Sequence, residues 1–422
     1  MLNIAFIGLG AIGLPIARRL AQHPEIAMSI FDVRADVLEQ ERALGRVATS
    51  IADAVDGVDA VVSVLPADQH VLSVAEELAA SGHMDGVTFI DFSTISPRTI
   101  EAAAAMLPGS TVLGGALTRS VAAAAIGELS IFVGGDPAGL DGISIVLDQM
   151  ATDVRRVETA AHAKSLKVVN NMMVSATNIL VTDHALLSDV HQVDPRDFVA
   201  AVAERGAGSW AFTNQTIKHL LVEEFTPGRF STAYMHKDVN LSIALASSHG
   251  TPAWFAALTS ASYRGTEALG LDDHYHPIVG RWVERAAGRP QLMPTTATAR
   301  RPSTPETARV ATLLADTLAV QQGLLSLDGL RLARLEGIEL SAAIEHFISG
   351  SASNDFLVSL EAGGGHSDVT LRAVIDRLDE VLALAAQQRI PAFGIELSRQ
   401  YAYSLVAAHG DERSLRELAL SA

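Results

Sequence analysis

The chain opens on a continuous apolar run, Leu2 to Ile7, of the kind a parallel strand buried on both faces shows. Glycines at positions 8, 10 and 13 follow it, and then a helical period from Leu14 to Gln22, with Pro15 tolerable in the first turn. Strand-like runs at Ala27 to Phe31, Ala60 to Leu65, Thr88 to Asp91 and Thr111 to Gly114 alternate with helical stretches such as Gln69 to Ala80 and Thr99 to Met106. That alternation predicts a doubly wound α/β domain of Rossmann type over residues 1–158. From residue 159 the apolar positions keep helical spacing, first in a long helix opening on Lys167 and then in hairpins such as Pro195 to Glu204, Asn214 to Glu223 and Ser231 to Ser248. An all-α body over 159–287 is expected, with Trp210 and Phe212 in its core.

Residues 288–305 carry four prolines and no hydrophobic period, so they read as a linker. Beyond the linker the chain repeats segments of the first helical body. Gly206 to Phe212 lines up with Gly350 to Phe356, Leu187 to Val193 with Leu332 to Ile338, and Thr251 to Phe255 with Ile390 to Gly394. Residues 306–422 are therefore expected to be a second copy of the helical domain, making two tandem all-α domains after the α/β one. The second copy is degenerate, because Thr312 stands near where Lys167 should recur and Ala315 and Asp316 replace the asparagines.

Composition narrows the partners. At 422 residues the chain is long enough for about three domains. A net charge of -17 excludes nucleic acid and an anionic membrane as main partners, since both call for a basic face. With no cysteine there is no disulfide, thiolate metal site or Cys nucleophile. The first residues form a strand rather than a signal peptide, and no uninterrupted apolar run approaches the ~20 residues that span a bilayer. A cytoplasmic protein is the expectation. Asp272-Asp273-His274-Tyr275-His276 has the residue types of a metal cluster but falls in a loop, and no metal is expected.

The glycine turn is the first candidate for chemistry. Gly8-Leu9-Gly10-Ala11-Ile12-Gly13 fits the dinucleotide pattern: Gly8 for the tight turn, Gly10 for backbone approach to a pyrophosphate, Gly13 for close helix packing, with phosphates on the helix N-terminus formed from Ala11 and Ile12 onward. Asp32 ends the second strand 19 residues beyond Gly13, where a carboxylate accepts from an adenosine ribose and repels a 2'-phosphate. NAD is favoured. Arg34 keeps NADP open, since an arginine just past the acid suits that phosphate. Loops at strand carboxyl ends, Leu65-Pro66-Ala67 and Asp91-Phe92-Ser93-Thr94, are further candidates for ligand contact, Ser93 and Thr94 being equally suited to helix capping.

The second candidate is Lys167-Val168-Val169-Asn170-Asn171. At helical spacing Lys167, Asn170 and Asn171 share a face, so one amine and two amides project together, which is proton-transfer equipment. Lys164 and Lys237 are cations expected to disfavour charge on Lys167.

These motifs together resemble the β-hydroxyacid dehydrogenases, the family of 3-hydroxyisobutyrate dehydrogenase, tartronate semialdehyde reductase and sulfolactaldehyde reductase. The resemblance rests on Gly8 to Ala17, Val64-Leu65-Pro66, Asp91 to Thr94, Gly127-Glu128-Leu129 leading to Val133-Gly134-Gly135, Lys167 to Asn171, and His236-Lys237-Asp238, and it covers roughly residues 1–287. It implies Lys167 as general acid/base, Asn171 as a substrate-holding amide, Thr94 on the nicotinamide side of the cofactor, and Lys237 and Asp238 in the part that closes over the site. Where the family grips the substrate carboxylate with a serine-glycine-glycine run, this chain has Thr118-Arg119-Ser120, with Arg119 in place of a glycine. That resembles the sulfolactaldehyde reductase branch and implies a strongly anionic small substrate. The other reading pairs Arg119 with Glu128 or another acid outside the pocket.

The expected function is NAD(P)-dependent interconversion of a small anionic β-hydroxyacid and its aldehyde or ketone. An imine reductase, and a cofactor-binding sensor without turnover, are the rival readings. 6-Phosphogluconate dehydrogenases are similar in having a doubled helical domain, which implies a pseudo-dimer within one chain and leaves pairing of whole chains into a homodimer open.

Overall fold

A computed structural model describes residues 1–119, 121–222, 225, 230–289, 300–364 and 367–421. Packing divides the chain into two compact units, Met1–Val168 and Val169–Ala422.

In the first unit eight strands form one sheet: β1 (Leu2–Ile7), β2 (Ile26–Phe31), β3 (Arg46–Val47), β4 (Ala60–Ser63), β5 (Thr88–Asp91), β6 (Thr111–Thr118), β7 (Leu129–Gly134) and β8 (Ala151–Val157). Their order is β3-β2-β1-β4-β5-β6-β7-β8. Neighbours run parallel except β6 and β7, which pair antiparallel from Gly114↔Gly134 to Thr118↔Ser130. The expected strands all form, and β6 runs on to Thr118. β3, β7 and β8 are additional. β7 is buried at every position, which its apolar run Leu129 to Val133 suits, whereas β8 mixes charged and apolar residues without a clean alternation and pairs parallel with β7. Strand order reverses at β1, flanked by β2 and β4, so the crevice for a ligand lies beyond the carboxyl ends of β1 and β4. One core cluster, holding Ile4, Phe6, Ile16, Ile30 and Ile131, packs one side of the sheet, and another, with Ala5, Ile7, Val61, Leu78 and Phe89, packs the other.

Helix Ala160–Val190 starts in this unit and continues into the next. The second unit is built of helices from Val169 to Ser421. Another long helix, Pro305–Leu335, is long and apolar enough to cross a membrane, but its most apolar stretch is 83% buried inside the protein, so that surface is core. The stretch expected as a helix from Asn214 forms wider π-helical turns over Phe212–Leu220. Of the expected linker, residues 290–299 lie outside the described residues. Its far end is bound: Arg301 donates to Asp194 Oδ2 through its backbone N–H at 2.8 Å and to Asp189 Oδ1 through its guanidinium at 2.6 Å.

Local pairings recur along this unit. Thr232 and Ala233 donate backbone hydrogen bonds to the carbonyls of His274 and Asp272, and 139 residues later Leu371 and Arg372 donate to those of Arg413 and Asp411. Ser209 and Asn354 form an antiparallel bridge, with Trp210 N–H donating to Ser353 and Asp355 N–H to Gly208. Asp183, on the first long helix, accepts from Gly394 N–H at 2.6 Å. Asp328, on the second, lies 3.5 Å from Phe255 N–H. Each long helix thus meets the start of a helix in the other half.

Candidate active site

At the end of β1 the chain needs glycine for reasons the structure makes specific. Gly8 has φ +99°, and a Cβ there would lie 2.3 Å from the Val64 carbonyl. A Cβ on Gly13 would lie 2.1 Å from the Gly8 carbonyl oxygen, so the helix Gly13–Leu20 sits hard against the turn. Gly10 differs, for its Cβ would meet nothing within 4 Å. That open face is where a pyrophosphate would come up to the backbone. Ile12 stands at the N-cap of this helix with no side-chain hydrogen bond capping it, leaving the N-terminal dipole to an anion, and Ala11 is exposed beside it. These residues fit a dinucleotide.

Asp32 ends up beside this turn, where its Oδ2 accepts from Leu9 N–H at 2.7 Å. Its Oδ1 accepts from the N–H and Nε of Arg34, both at 2.9 Å, and Arg34 Nη2 also reaches Asp32 Oδ2 and the Leu9 carbonyl. Burial pushes the Asp32 carboxyl up, but the Arg34 guanidinium and the two backbone donors outweigh it and hold it below the usual carboxylate range. Asp32 and Arg34 therefore act as a pair, with the guanidinium half-exposed.

Beyond β4 and β5 a buried network fixes the next two loops. Asp91 Oδ2 accepts from Ser63 Oγ at 2.6 Å and Ser93 Oγ at 2.7 Å, and Leu65 N–H donates to Ser93 Oγ at 2.7 Å. Lys164 closes the network: its Nζ lies 2.7 Å from Asp91 Oδ1 and donates to the carbonyls of Asp91, Ser93 and Gly115 at 2.6, 2.8 and 3.0 Å. Leu65 and Thr94 are thereby held half-buried, with Pro66 exposed. Ser93 serves as a brace for the Leu65 loop. Neither the pairing of Lys164 with Asp91 nor the part Ser63 plays was foreseen. A lysine within an otherwise apolar helical period, and an aspartate ending a buried strand, were the available signals.

Lys167, one helical turn beyond Lys164, is half-buried between the buried Leu166 and Val168. The two cations expected to disfavour its charge are each paired with a carboxylate: Lys164 with Asp91, and Lys237 with Asp238 at 2.8 Å. That pairing reduces their electrostatic effect.

In the second unit, Asn170 and Asn171 are buried and satisfied. Asn171 Nδ2 donates to Asp238 Oδ2 at 2.6 Å, and its Oδ1 accepts from Asn170 Nδ2 at 3.2 Å. A carboxylate accepts only, so Asp238 fixes which way the Asn171 amide points. His276, from the supposed metal cluster, is a buried core residue whose ring nitrogens meet Tyr263 Oη and Gln215 Nε2, each at 3.0 Å.

Thr118 ends β6 and Arg119 follows it. Thr118 is buried and donates to the Ser130 carbonyl at 2.9 Å. Arg119 is exposed, with its Nη1 2.7 Å from the Glu128 carbonyl oxygen and 3.4 Å from Thr152 Oγ1. Ser120 lies outside the described residues.

Comparison with known proteins brings two family models onto adjoining parts of the chain. The NAD binding domain of 6-phosphogluconate dehydrogenase matches residues 3–163. The NAD-binding region of NADP-dependent 3-hydroxyisobutyrate dehydrogenase matches residues 161–282. An NAD-dependent L-serine dehydrogenase of Pseudomonas aeruginosa is 28% identical over 301 residues, which is 68% of this chain and all of that one. A solved structure of Mycobacterium tuberculosis 3-hydroxyisobutyrate dehydrogenase with L-serine is similar with TM-score 0.61 and 26% identity, covering 67% of this chain and 98% of that one. Plasmodium falciparum 6-phosphogluconate dehydrogenase shares the fold over 96% of this chain and 93% of its own, with TM-score 0.67 at 12% identity.

Proposed function

For a chain that belongs to the β-hydroxyacid dehydrogenase family and binds a nicotinamide dinucleotide, we propose the interconversion of a small β-hydroxyacid and its carbonyl product, with Lys167 as general acid/base. One face of helix Ala160–Val190 carries the argument: Lys164 is anchored at its base, Lys167 follows one turn on and is only half-buried, and Asn171 follows another turn on with its amide fixed.

The nicotinamide, when bound, supplies the hydride acceptor. Gly8, Gly10 and Gly13 would hold its pyrophosphate, Asp32 and Arg34 its adenosine ribose, and Leu65, Pro66 and Thr94 its reacting half. Lys167 as a neutral amine takes the proton from the substrate hydroxyl during oxidation, and as ammonium returns it in reduction. Asn171 has one N–H left after its bond to Asp238 and donates it to substrate oxygen. Lys237 is proposed as a cofactor contact on the motif His236-Lys237-Asp238 alone. NAD is the proposed physiological partner, because Asp32 presents a carboxylate where NADP carries a phosphate.

The test is Lys167→Ala assayed by NADH absorbance over small hydroxyacids, their semialdehydes and sulfonated analogues. We expect loss of most of kcat with NAD affinity retained. Turnover near the wild-type rate would overturn the assignment.

We further propose that residues 306–422 are a second, non-catalytic copy of the helical domain, which makes the chain a pseudo-dimer. The backbone pairings that recur along the helical unit support it. Cleaving the chain within residues 290–299 tests it. If the carboxyl-terminal piece dissociates without loss of stability or activity, the partner role is wrong.

A further inference from the structure

The second copy touches the amide pair directly. Asn170 Oδ1 accepts from Ala352 N–H at 3.0 Å, and Asn170 Nδ2 donates to Ser351 Oγ at 2.9 Å. Both hydrogen bonds come from the turn after helix Leu340–Ser349, more than 180 residues away in sequence. Gly350 adds an independent sign of the fit. Its φ of -88° is open to any residue, so its backbone does not require glycine. A Cβ there would instead lie 2.7 Å from Asn170 Oδ1. The turn has given up a side chain so that the amide can seat against it.

We infer that the Gly350-Ser351-Ala352 turn is a positioning element for catalysis, contributed by the copy that lacks catalytic residues of its own. Hydrogen bonds run without a break from Ser351 through Asn170 and Asn171 to Asp238. Ser351 and Ala352 use the Asn170 carbonyl and one of its N–H groups, and the other N–H meets Asn171 Oδ1. With Asp238 taking one N–H of Asn171, the direction of the last N–H is set from both ends. The appended copy would thus raise substrate affinity without touching substrate. This rests on the proposed role of Asn171.

The experiment compares wild type with Ser351→Ala, Ser351→Thr and Gly350→Val by KM and kcat for the best hydroxyacid, KM for NAD, and thermal melting. A lost buried hydrogen bond predicts that Ser351→Ala raises the hydroxyacid KM about fivefold, with NAD KM unchanged and melting still cooperative. Gly350→Val should exceed that, and Ser351→Thr, which keeps the hydroxyl, should restore it. If Gly350→Val does not fold, the two serine variants carry the test. An active wild type whose Ser351→Ala variant keeps its hydroxyacid KM overturns the inference and leaves the dehydrogenase reading standing. A wild type inactive on every hydroxyacid overturns both.

Discussion

Lys164 Nζ lies 2.7 Å from Asp91 Oδ1, and neither side chain has any solvent exposure. The pair ties the amino-terminal part of helix Ala160–Val190 to the carboxyl end of β5 and the middle of β6, and through Ser63 and Ser93 to the end of β4. Removing one partner strands a charge in the interior, which costs about 3–5 kcal/mol. We expect Lys164→Met to lose stability on that scale in denaturant unfolding, and Lys164→Met/Asp91→Asn to lose less than the sum of the single changes. Strict additivity would mean the two charges do not depend on each other.

Asp32 and Arg34 make a sharper prediction about the cofactor. The carboxylate holds the guanidinium against the turn, so removing it frees Arg34 for a 2'-phosphate. Asp32→Ser should raise the NADP-to-NAD ratio of kcat/KM by about tenfold or more, since a charged hydrogen bond contributes ~1.5–3 kcal/mol. Steady-state kinetics with both cofactors reads this directly. An unchanged ratio would remove Asp32 from the adenosine site.

Arg119 has φ +75°, a left-handed conformation that favours glycine. Arg119→Gly relieves that strain and gives up an exposed hydrogen bond to the Glu128 carbonyl. Thermal melting should therefore be unchanged or slightly higher. With the side chain engaged there, substrate KM should move less than about twofold, whereas a tenfold rise would assign Arg119 to the substrate anion.

Asp183 gives a pH dependence. Burial pushes its carboxyl up to about 7, against the pull of the Gly394 and Ile395 N–H groups, and its Oδ1 is buried with no hydrogen-bond partner. The folded protein thus holds a proton that the unfolded chain releases near its ordinary value of about 4. Stability from this group is full below that pH and is lost as pH rises through about 7. His184, lowered to about 4 by burial with the Leu180 carbonyl pulling the other way, has the opposite slope between its folded and ordinary values. Wild type alone would show little net trend where the two overlap. Measured against Asp183→Asn, which imitates the protonated acid, wild type should lose relative stability from pH 4 to 7. A constant difference would mean Asp183 is ionised throughout.

The candidate site residues were chosen from the sequence because the patterns that single them out are local. The glycine turn and Asp32 lie at the ends of β1 and β2, and Lys167 to Asn171 lie along one helix, so backbone geometry alone sets the relation between side chains within each. The partners of those residues were not legible. Asp91 with Lys164, Asn171 with Asp238, and Asn170 with Ser351 are separated by 73, 67 and 181 positions. β8 was missed because its residues, Ala-Thr-Asp-Val-Arg-Arg-Val, show neither a continuous apolar run nor a clean alternation.

The sequence alone determined the α/β domain, the helical remainder, the dinucleotide turn and the repeated segments after it, because apolar period and glycine spacing constrain the backbone within each element. Only the tertiary structure decided that Lys164 is a buried anchor while Lys167 is half-buried, that Arg119 reaches the Glu128 carbonyl, and that the Ser351-Ala352 turn holds Asn170. Those outcomes turn on which charges and amides find partners when distant strands and helices come together, and the energy of a buried polar group depends on its partner more than on its own identity.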